Sequence, residues 1–417
     1  MRRVVITGLG PVSPVGIGKE SFWNAIISGK TAFCKISRFP LRKDHVTQIA
    51  AEIHDFDPKK YVREKTVERV ARFGFDHAGL ILYYAIAGAK LAIEDSGIDF
   101  TKEDLQRSGV MVGSASGDPA LLTKVNPSFP ITQYGMVSSL VGCIAYEYGL
   151  QGIGFSLSGA CSTGNLNLRG GYKEIRDGDA DIMIVGSSSA PIMTPHPFDD
   201  FDDPTKISPM SRVNDPHVGM RPYDRDRDGF ILSEGAGILI LEELMHAVER
   251  GAHIYAEVVG YGDSTQTSRH FADITVDGYY NSMKSALDRT RSRGSLDGKC
   301  VYVNAHGTAT VKNDIVESEA IRKVFDGETG TVFVSSLKGT LGHAQEAASS
   351  LELIACSLSL DRGIIPVTAG LMNPDPNCKP LNVIKGESIE APVDIVVKNT
   401  AGFCGIYSTI VLKKYEQ

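Results

Sequence analysis

A chain of 417 residues, 42% hydrophobic and with 43 glycines, carries enough apolar side chains for one large core or two fused ones, and for many tight strand-to-helix turns. The formal charge of −7 argues against a general nucleic-acid role, and no DNA-binding motif appears. Seven cysteines, odd in number and without paired spacing, read as reduced thiols, which predicts a cytoplasmic protein.

In chain order, Val4-Val5-Ile6-Thr7 reads as a first buried strand. Two arginines precede it, but the apolar run is too short and too broken by glycine for a secretory segment. No window reaches the roughly 18 to 20 apolar residues of a membrane span, so the expectation is a soluble chain with no membrane partner. Between Lys59 and Arg72 six basic residues (Lys59, Lys60, Arg63, Lys65, Arg69, Arg72) face two acidic ones, a local excess of positive charge that fits either a docking face or a solvated helix. Helical spacing follows over 75–96, then a strand at Gly109–Gly113.

The run Ile153-Gly154-Phe155-Ser156-Leu157 leads into Ser158-Gly159-Ala160-Cys161-Ser162-Thr163-Gly164, and a helix is predicted from Cys161 to Gly178. Asp181–Gly186 and Gly237–Leu241 read as buried strands, with a long ordered loop over Pro191–Pro222 between them and a helix from Leu244 to Gly251. After Gly251 the pattern restarts. Tyr255–Gly262 echoes Val4–Gly10, strands follow at Val301–Val303 and Val332–Val334, and the helix-like segment from Gly342 to Leu360 stands in the second half as the one from Cys161 to Gly178 stands in the first. The fold class is therefore α/β, in two similar halves, 1–251 and 252–417, the first carrying the cysteine and the second two histidines.

Cys161 would sit at the first turn of a helix, where free N–H groups and the macrodipole favour an anion, so an acidified, reactive thiol is the natural expectation; a buried inert cysteine is the bland alternative. His306, in Asn304-Ala305-His306-Gly307-Thr308-Ala309-Thr310, and His343, in Leu341-Gly342-His343-Ala344, each follow a strand-like run. Alone, either fits a structural role; together with the thiol they are three strand-end positions that an α/β sheet can converge on one crevice. Lys338 and Glu317 add an opposite-charge pair nearby in sequence. Asp224-Arg225-Asp226-Arg227-Asp228-Gly229 opens like a calcium loop, but position twelve is Gly235 where a bidentate Glu is needed, so no metal site is expected there.

Five motifs in order resemble the β-ketoacyl-[acyl-carrier-protein] synthases, condensing enzymes of the thiolase superfamily: Gly159-Ala160-Cys161-Ser162-Thr163-Gly164, Asp226–Gly237, Asn304–Thr310, Val334-Ser335-Ser336-Leu337-Lys338 and Gly342-His343. The resemblance runs from Val4 to nearly Leu412 and implies a thiolase-like layered α-β-α-β-α architecture and a decarboxylative Claisen condensation. It implies that Cys161 accepts the acyl group and that His306 and His343 hold the malonyl thioester oxygen. The N–H groups of Cys161 and Ala401 would form an oxyanion hole, and Lys338 and Glu317 would maintain the histidine environment. Thr308 and Thr310 would bind the pantetheine arm, with Ser116, His270, Gly402 and Phe403 around the substrate. No metal or dissociable cofactor is implied. The implied partners are an acyl carrier protein, docked through Lys65 and Arg69, and a second subunit in a two-fold dimer, either another copy or a chain-length partner.

Departures from the family pattern point to the pathway. The loop Asn399-Thr400-Ala401-Gly402-Phe403-Cys404-Gly405 places Ala401 where fatty-acid enzymes resemble Asn-Ser-Phe-Gly-Phe-Gly-Gly, so the gate is a methyl group, and Ser114, Ala115 and Ser116 are small as well. Cys404 reads as a small filler. Phe403–Leu412 is more similar to the catalytic α subunits of type II polyketide ketosynthases. Ala344-Gln345-Glu346 and Thr267-Ser268-Arg269-His270 also depart, the first bringing Glu346 near the site. The leading expectation is a polyketide or polyene ketosynthase, with the housekeeping fatty-acid enzyme as alternative and a non-catalytic chain-length partner as the third reading.

Overall fold

The computed structural model describes residues 2–42, 45–71, 79–115, 136–201, 208–266, 273–292, 294–378 and 382–416. The first half contributes β1 (Val4–Ser13), β2 (Ser108–Gly113), β3 (Ile182–Ser189) and β4 (Gly235–Glu243); the second contributes β5 (Ala256–Thr265), β6 (Cys300–Asn304), β7 (Thr331–Ser335), β8 (Asn382–Val383), β9 (Ile395–Gly402) and β10 (Ile406–Lys413). The order is β1-β4-β3-β2 in one half and β5-β10-β9-β6-β7 in the other. Corresponding pairs run the same way: β2 with β3 and β6 with β9 are parallel, β3 with β4 and β9 with β10 antiparallel. Even the β6–β7 pairing has its counterpart in the parallel bridge from Val110 to Gly154, just ahead of Cys161. Pairing of Val5 with Glu257 and Ile6 with Ala256 joins the two halves into one sheet.

Strand side chains alternate between faces, and here both faces are apolar because both are covered. Val110, Ile182, Ile184, Ile238 and Ile240 pack outward with α2 (Leu80–Ser96) and α3 (Ser138–Tyr148). Their alternates Met111, Met183, Val185, Leu239 and Leu241 pack inward in one cluster with Leu168, Leu351, Leu358, Val396 and Ile410. In the second half Val301, Val303 and Val397 face outward to α5 (Val276–Arg291) and α6 (Val311–Val324). The inward cluster is thus built on two central helices, α4 (Thr163–Asp177) and α7 (Ala348–Arg362), held between the strands of the two halves. This is the layered thiolase-like α-β-α-β-α arrangement.

Several elements differ from the sequence expectation. Of the segment 75–96, residues 75–78 lie outside the described residues and α2 begins at Leu80. The helix expected from Cys161 starts at Thr163, because Ala160–Ser162 forms a separate 3-10 turn. The segment 342–360 is helical only from Ala348: a separate short helix, Lys338–Leu341, ends ahead of it, and a 3-10 turn Gln345–Ala347 precedes α7. Between Pro191 and Pro222 a short helix, His196–Phe201, interrupts the loop, and 202–207 lie outside the described residues. The aspartates of the calcium-like loop bind protein instead: Asp224 accepts the N–H groups of Met372 and Asn373 (2.8 and 2.6 Å), and Asp228 accepts from Ser211 Oγ (2.7 Å).

Candidate active site

The two central helices meet end to end. Gly164 in the first turn of α4 packs so tightly on α7 that a Cβ there would lie 2.2 Å from Ser350 Oγ and 2.6 Å from Ser350 N. Gly164 N–H donates to Ser349 Oγ at 3.0 Å. This approach brings the Cys161 turn, ahead of α4, to the His343 turn, ahead of α7. Cys161 Sγ lies 3.2 Å from His343 Nε2. His306, at the end of β6, completes the group: a thiol sulfur and two ring nitrogens lie within 4.8 Å of one another, and the two imidazoles stand edge to face at 5.6 Å. All three residues are buried.

Each is fixed by backbone. His343 is held through both peptide groups, its N–H donating to Ile231 O (2.8 Å) and its carbonyl accepting from Ser233 N (3.0 Å). The Glu317 carboxylate from α6 accepts the N–H groups of His306 (2.7 Å) and Gly307 (2.8 Å), and Asn399 Nδ2 donates to it at 2.8 Å. Lys338 Nζ donates to His306 O at 2.6 Å.

Lys338 and Glu317 do not pair with each other. The partner of Lys338 is Glu352 of α7, at 2.6 Å, and the other oxygen of Glu352 lies 2.9 Å from Lys398 Nζ. Lys398 also donates to Asn399 O at 2.5 Å. Lys338, Glu352 and Lys398 are all essentially without solvent contact. A carboxylate survives such burial here because an ammonium faces each of its oxygens. Glu352 and Lys398 were missed by sequence reasoning, yet each left a signal: a charge inside an apolar run, Leu351-Glu352-Leu353-Ile354 and Val396-Val397-Lys398.

Burial and the charges of Lys338 and Lys398 hold both imidazoles well below the usual histidine range, His343 lending a further push to His306, so both rings are neutral near pH 7. For Cys161 the expectation of an acidified thiol is overturned. Burial and the nearby Glu346 carboxylate push it up to about 12, against a smaller pull from Lys338. The sulfur precedes α4 rather than opening it, and burial takes from it the water that would stabilise a thiolate. Glu346 is held by the Ser189 hydroxyl (2.5 Å) and by the Ala115 N–H.

The remaining expected residues fall as follows. Ala401 lies between Thr400, whose hydroxyl reaches Cys161 O (3.3 Å) and His306 Nδ1 (3.4 Å), and Gly402, where a Cβ would stand 2.3 Å from Gly159 O. Phe403 packs on Phe201, Phe201 on Phe230, and Phe230 on the His343 ring at 5.1 Å, an aromatic path from the C-terminal loop to the site. The Thr308 and Thr310 hydroxyls are 2.9 Å apart. Cys404 is exposed in the turn between β9 and β10 with φ 65°, so it fills no core. Ser116 and His270 lie outside the described residues. Lys65 is exposed on α1 (Glu64–Ala71), which also carries Arg69, while Arg63 just ahead of it is paired with Glu147 (3.1 Å), reducing the positive excess.

A doubled α/β fold with one thiol and two neutral imidazoles meeting between its central helices defines the class of thiolase-like condensing enzymes. Residues 1–247 match the Beta-ketoacyl synthase, N-terminal domain, and residues 255–372 the Beta-ketoacyl synthase, C-terminal domain. The chain belongs to the β-ketoacyl synthase family. It is 35% identical to 3-oxoacyl-[acyl-carrier-protein] synthase 2 of Coxiella burnetii, over 99% of each chain. It is equally identical to the tetracenomycin polyketide synthase ketoacyl synthase alpha subunit of Streptomyces glaucescens, over 99% of this chain and 97% of that one. Among solved structures, the ishigamide ketosynthase/chain length factor superposes with a TM-score of 0.87 at 30% identity, covering 100% of both chains. A type II polyketide ketosynthase in complex with its acyl-carrier protein superposes with 0.84 at 30% identity, again covering 100% of both. Among the described residues no helix is long and apolar enough to cross a membrane.

Proposed function

We propose that the protein is an elongating ketosynthase that joins an acyl chain on Cys161 to a malonyl unit delivered by an acyl carrier protein, in type II polyketide or polyene synthesis. The observation that carries this is the contact of Cys161 Sγ with His343 Nε2 at 3.2 Å, with His306 across from it and both rings neutral.

Cys161 rests as a thiol. When an acyl thioester enters, His343 Nε2 takes the thiol proton as sulfur attacks the carbonyl, and the carrier's thiol leaves with that proton. The N–H groups of Cys161 and Ala401 stabilise the oxyanion formed on the way. As that proton leaves, His343 returns to its neutral form, and in the tautomer with hydrogen on Nε2 it is the first donor of the second step. Thr400 donates its one hydroxyl proton to Cys161 O and lies 3.4 Å from His306 Nδ1, and in the tautomer with hydrogen on Nε2 His306 is a donor too. Two neutral donors then face the malonyl thioester oxygen. The carboxylate departs as carbon dioxide, its electron pair forming an enolate held by these donors. The enolate carbon bonds to the acyl carbon as the bond to Cys161 sulfur breaks, and the departing thiolate takes a proton from solvent. Imidazolium rings would serve less well, since a full positive charge would also bind the departing carboxylate in its ground state. The reaction draws on no metal or dissociable cofactor.

Carrier docking on the α1 face and a two-fold pairing, with another copy or a chain-length partner, belong to the same proposal; the two ketosynthase structures named above support those partner classes. Mass spectrometry of carrier-bound products, with acyl- and malonyl-carrier protein as substrates, tests the reading. A two-carbon-longer β-ketoacyl product that vanishes in Cys161→Ala supports it. Malonyl decarboxylation without elongation by the wild-type protein, alone and with a co-expressed partner, overturns it in favour of a non-catalytic or purely decarboxylating role.

A further inference from the structure

A second cluster of metal-ligating side chains lies outside the reaction centre. Cys34, on a two-residue strand Cys34–Lys35, pairs antiparallel with Ile49–Ala50, placing Cys34 opposite Ala50. Along an extended chain, residues 50, 52 and 54 point to one face, so Glu52 and His54 project on the same side as the thiol opposite them. Their donor atoms converge: Cys34 Sγ lies 3.5 Å from His54 Nε2, His54 Nε2 lies 3.7 Å from Glu52 Oε2, and all three are within 4.8 Å of one another.

We propose that Cys34, Glu52 and His54 form a three-ligand site for a Zn2+-like divalent cation, with its fourth position open to solvent. Bonds of about 2.3 Å to sulfur and about 2.0 Å to nitrogen at tetrahedral angles place those two atoms about 3.5 Å apart, the separation already present without a metal. The mixed sulfur, nitrogen and oxygen donor set selects zinc or a similar transition ion over magnesium or calcium, which take oxygen.

Charge supplies an independent reason. The Glu52 carboxylate has no solvent exposure, yet its bonded donors are neutral: Ser37 N at 3.1 and 3.3 Å and Ser37 Oγ at 2.6 Å. Arg38, next in the chain, is spent bidentate on Glu234, at 2.5 Å through each nitrogen. A divalent ion bound by the Cys34 thiolate, the Glu52 carboxylate and neutral His54, with release of the thiol proton to solvent, makes the site neutral. Ser37 then plays the outer part that orients a ligating carboxylate. The site also has a mechanical connection to the reaction centre. Ala51 N–H donates to Leu232 O (2.9 Å) and Ile53 N–H to Glu234 Oε1 (2.7 Å), and the same 231–234 segment holds His343.

The test is titration of chelator-treated, full-length protein with Co2+, followed by Zn2+. One Co2+ per chain with a sulfur-to-cobalt charge-transfer band is expected. Zn2+ should displace it, Cys34→Ser should abolish the band, and His54→Ala, at a half-exposed position that folding tolerates, should weaken binding at least tenfold. The band should persist in Cys161→Ser, which separates this site from the other thiol flanked by histidines. Absence of the band in the wild-type protein, its survival in Cys34→Ser, or its loss in Cys161→Ser overturns the proposal.

Discussion

The thiol of Cys161 is held protonated by two groups that act on it in the same direction, the apolar packing around it and the carboxylate of Glu346. Its reactivity is therefore released by substrate and His343 rather than stored in the resting enzyme. Alkylation of Cys161 by iodoacetamide, followed by peptide mass spectrometry across pH, should be slow at neutral pH and still rising above pH 9. Glu346→Gln should shift this profile to lower pH and raise the rate at pH 8 severalfold, because it removes the anion and keeps the volume. At the same scale, Lys398→Met leaves Glu352 with Lys338 as its single ammonium partner in a dry interior. Breaking a buried ion group in this way costs about 3 to 5 kcal/mol. Denaturant unfolding should show that loss, and kcat for condensation should fall with it, since Glu352 and Lys338 brace the His306 carbonyl.

At the level of elements, the site exists because α4 and α7 start within contact distance of each other. Gly164 permits it. Replacement by alanine would gain about 1 kcal/mol of helix propensity, but its Cβ would stand 2.6 Å from a backbone nitrogen that has no room to yield. Overpacking costs typically 1 to 3 kcal/mol, so the clash wins. Gly164→Ala should lower the unfolding midpoint and, by separating Cys161 from His343, reduce acylation more than it reduces stability; single-turnover acylation measured beside thermal unfolding checks both. The β9–β10 loop is the other decisive element, since Thr400, Ala401 and Gly402 all border the Cys161 turn while Phe403 begins the ring path back to His343.

For the whole molecule, two histidines buried neutral set an acid limit. The unfolded chain takes up protons on these residues near pH 6.5 and the native site does not, so native stability falls as pH drops below about 6.5, by up to about 1.4 kcal/mol per pH unit for each ring. His246 works in the opposite sense: its hydrogen bond to Glu242 raises it to about 9, so its contribution is present below about pH 6.5 and fades as pH rises through 9. Unfolding measured from pH 5 to 9.5 should show the acid slope reduced in His343→Asn and the alkaline slope reduced in His246→Gln. Carrier docking is also a property of the whole surface. Reversing Lys65 and Arg69 to Glu should raise KM for the carrier-bound substrate severalfold, more at low salt than at high, with kcat little changed.

What the sequence by itself determined is the chemistry-bearing residues and the kind of fold. Buried strands announce themselves by continuous apolar runs, and Cys161, His306, His343 and Lys338 stand in short glycine-flanked motifs whose order is local information, while Glu317 lies in a helical run without glycine. The repeat from Val4 to Tyr255 likewise made a doubled α/β chain legible. What only the tertiary structure decided is whom those residues touch and what charge they carry. Glu317 grips the peptide groups of His306 and Gly307, and Lys338 turns to Glu352 and thereby to Lys398, contacts made across 10 to 46 positions of chain. The Cys161 thiol is the sharpest case. Its place beside a helix start is visible in the sequence and favours an anion, but desolvation depends on everything packed around the sulfur, and no local pattern records how much water a folded interior has expelled.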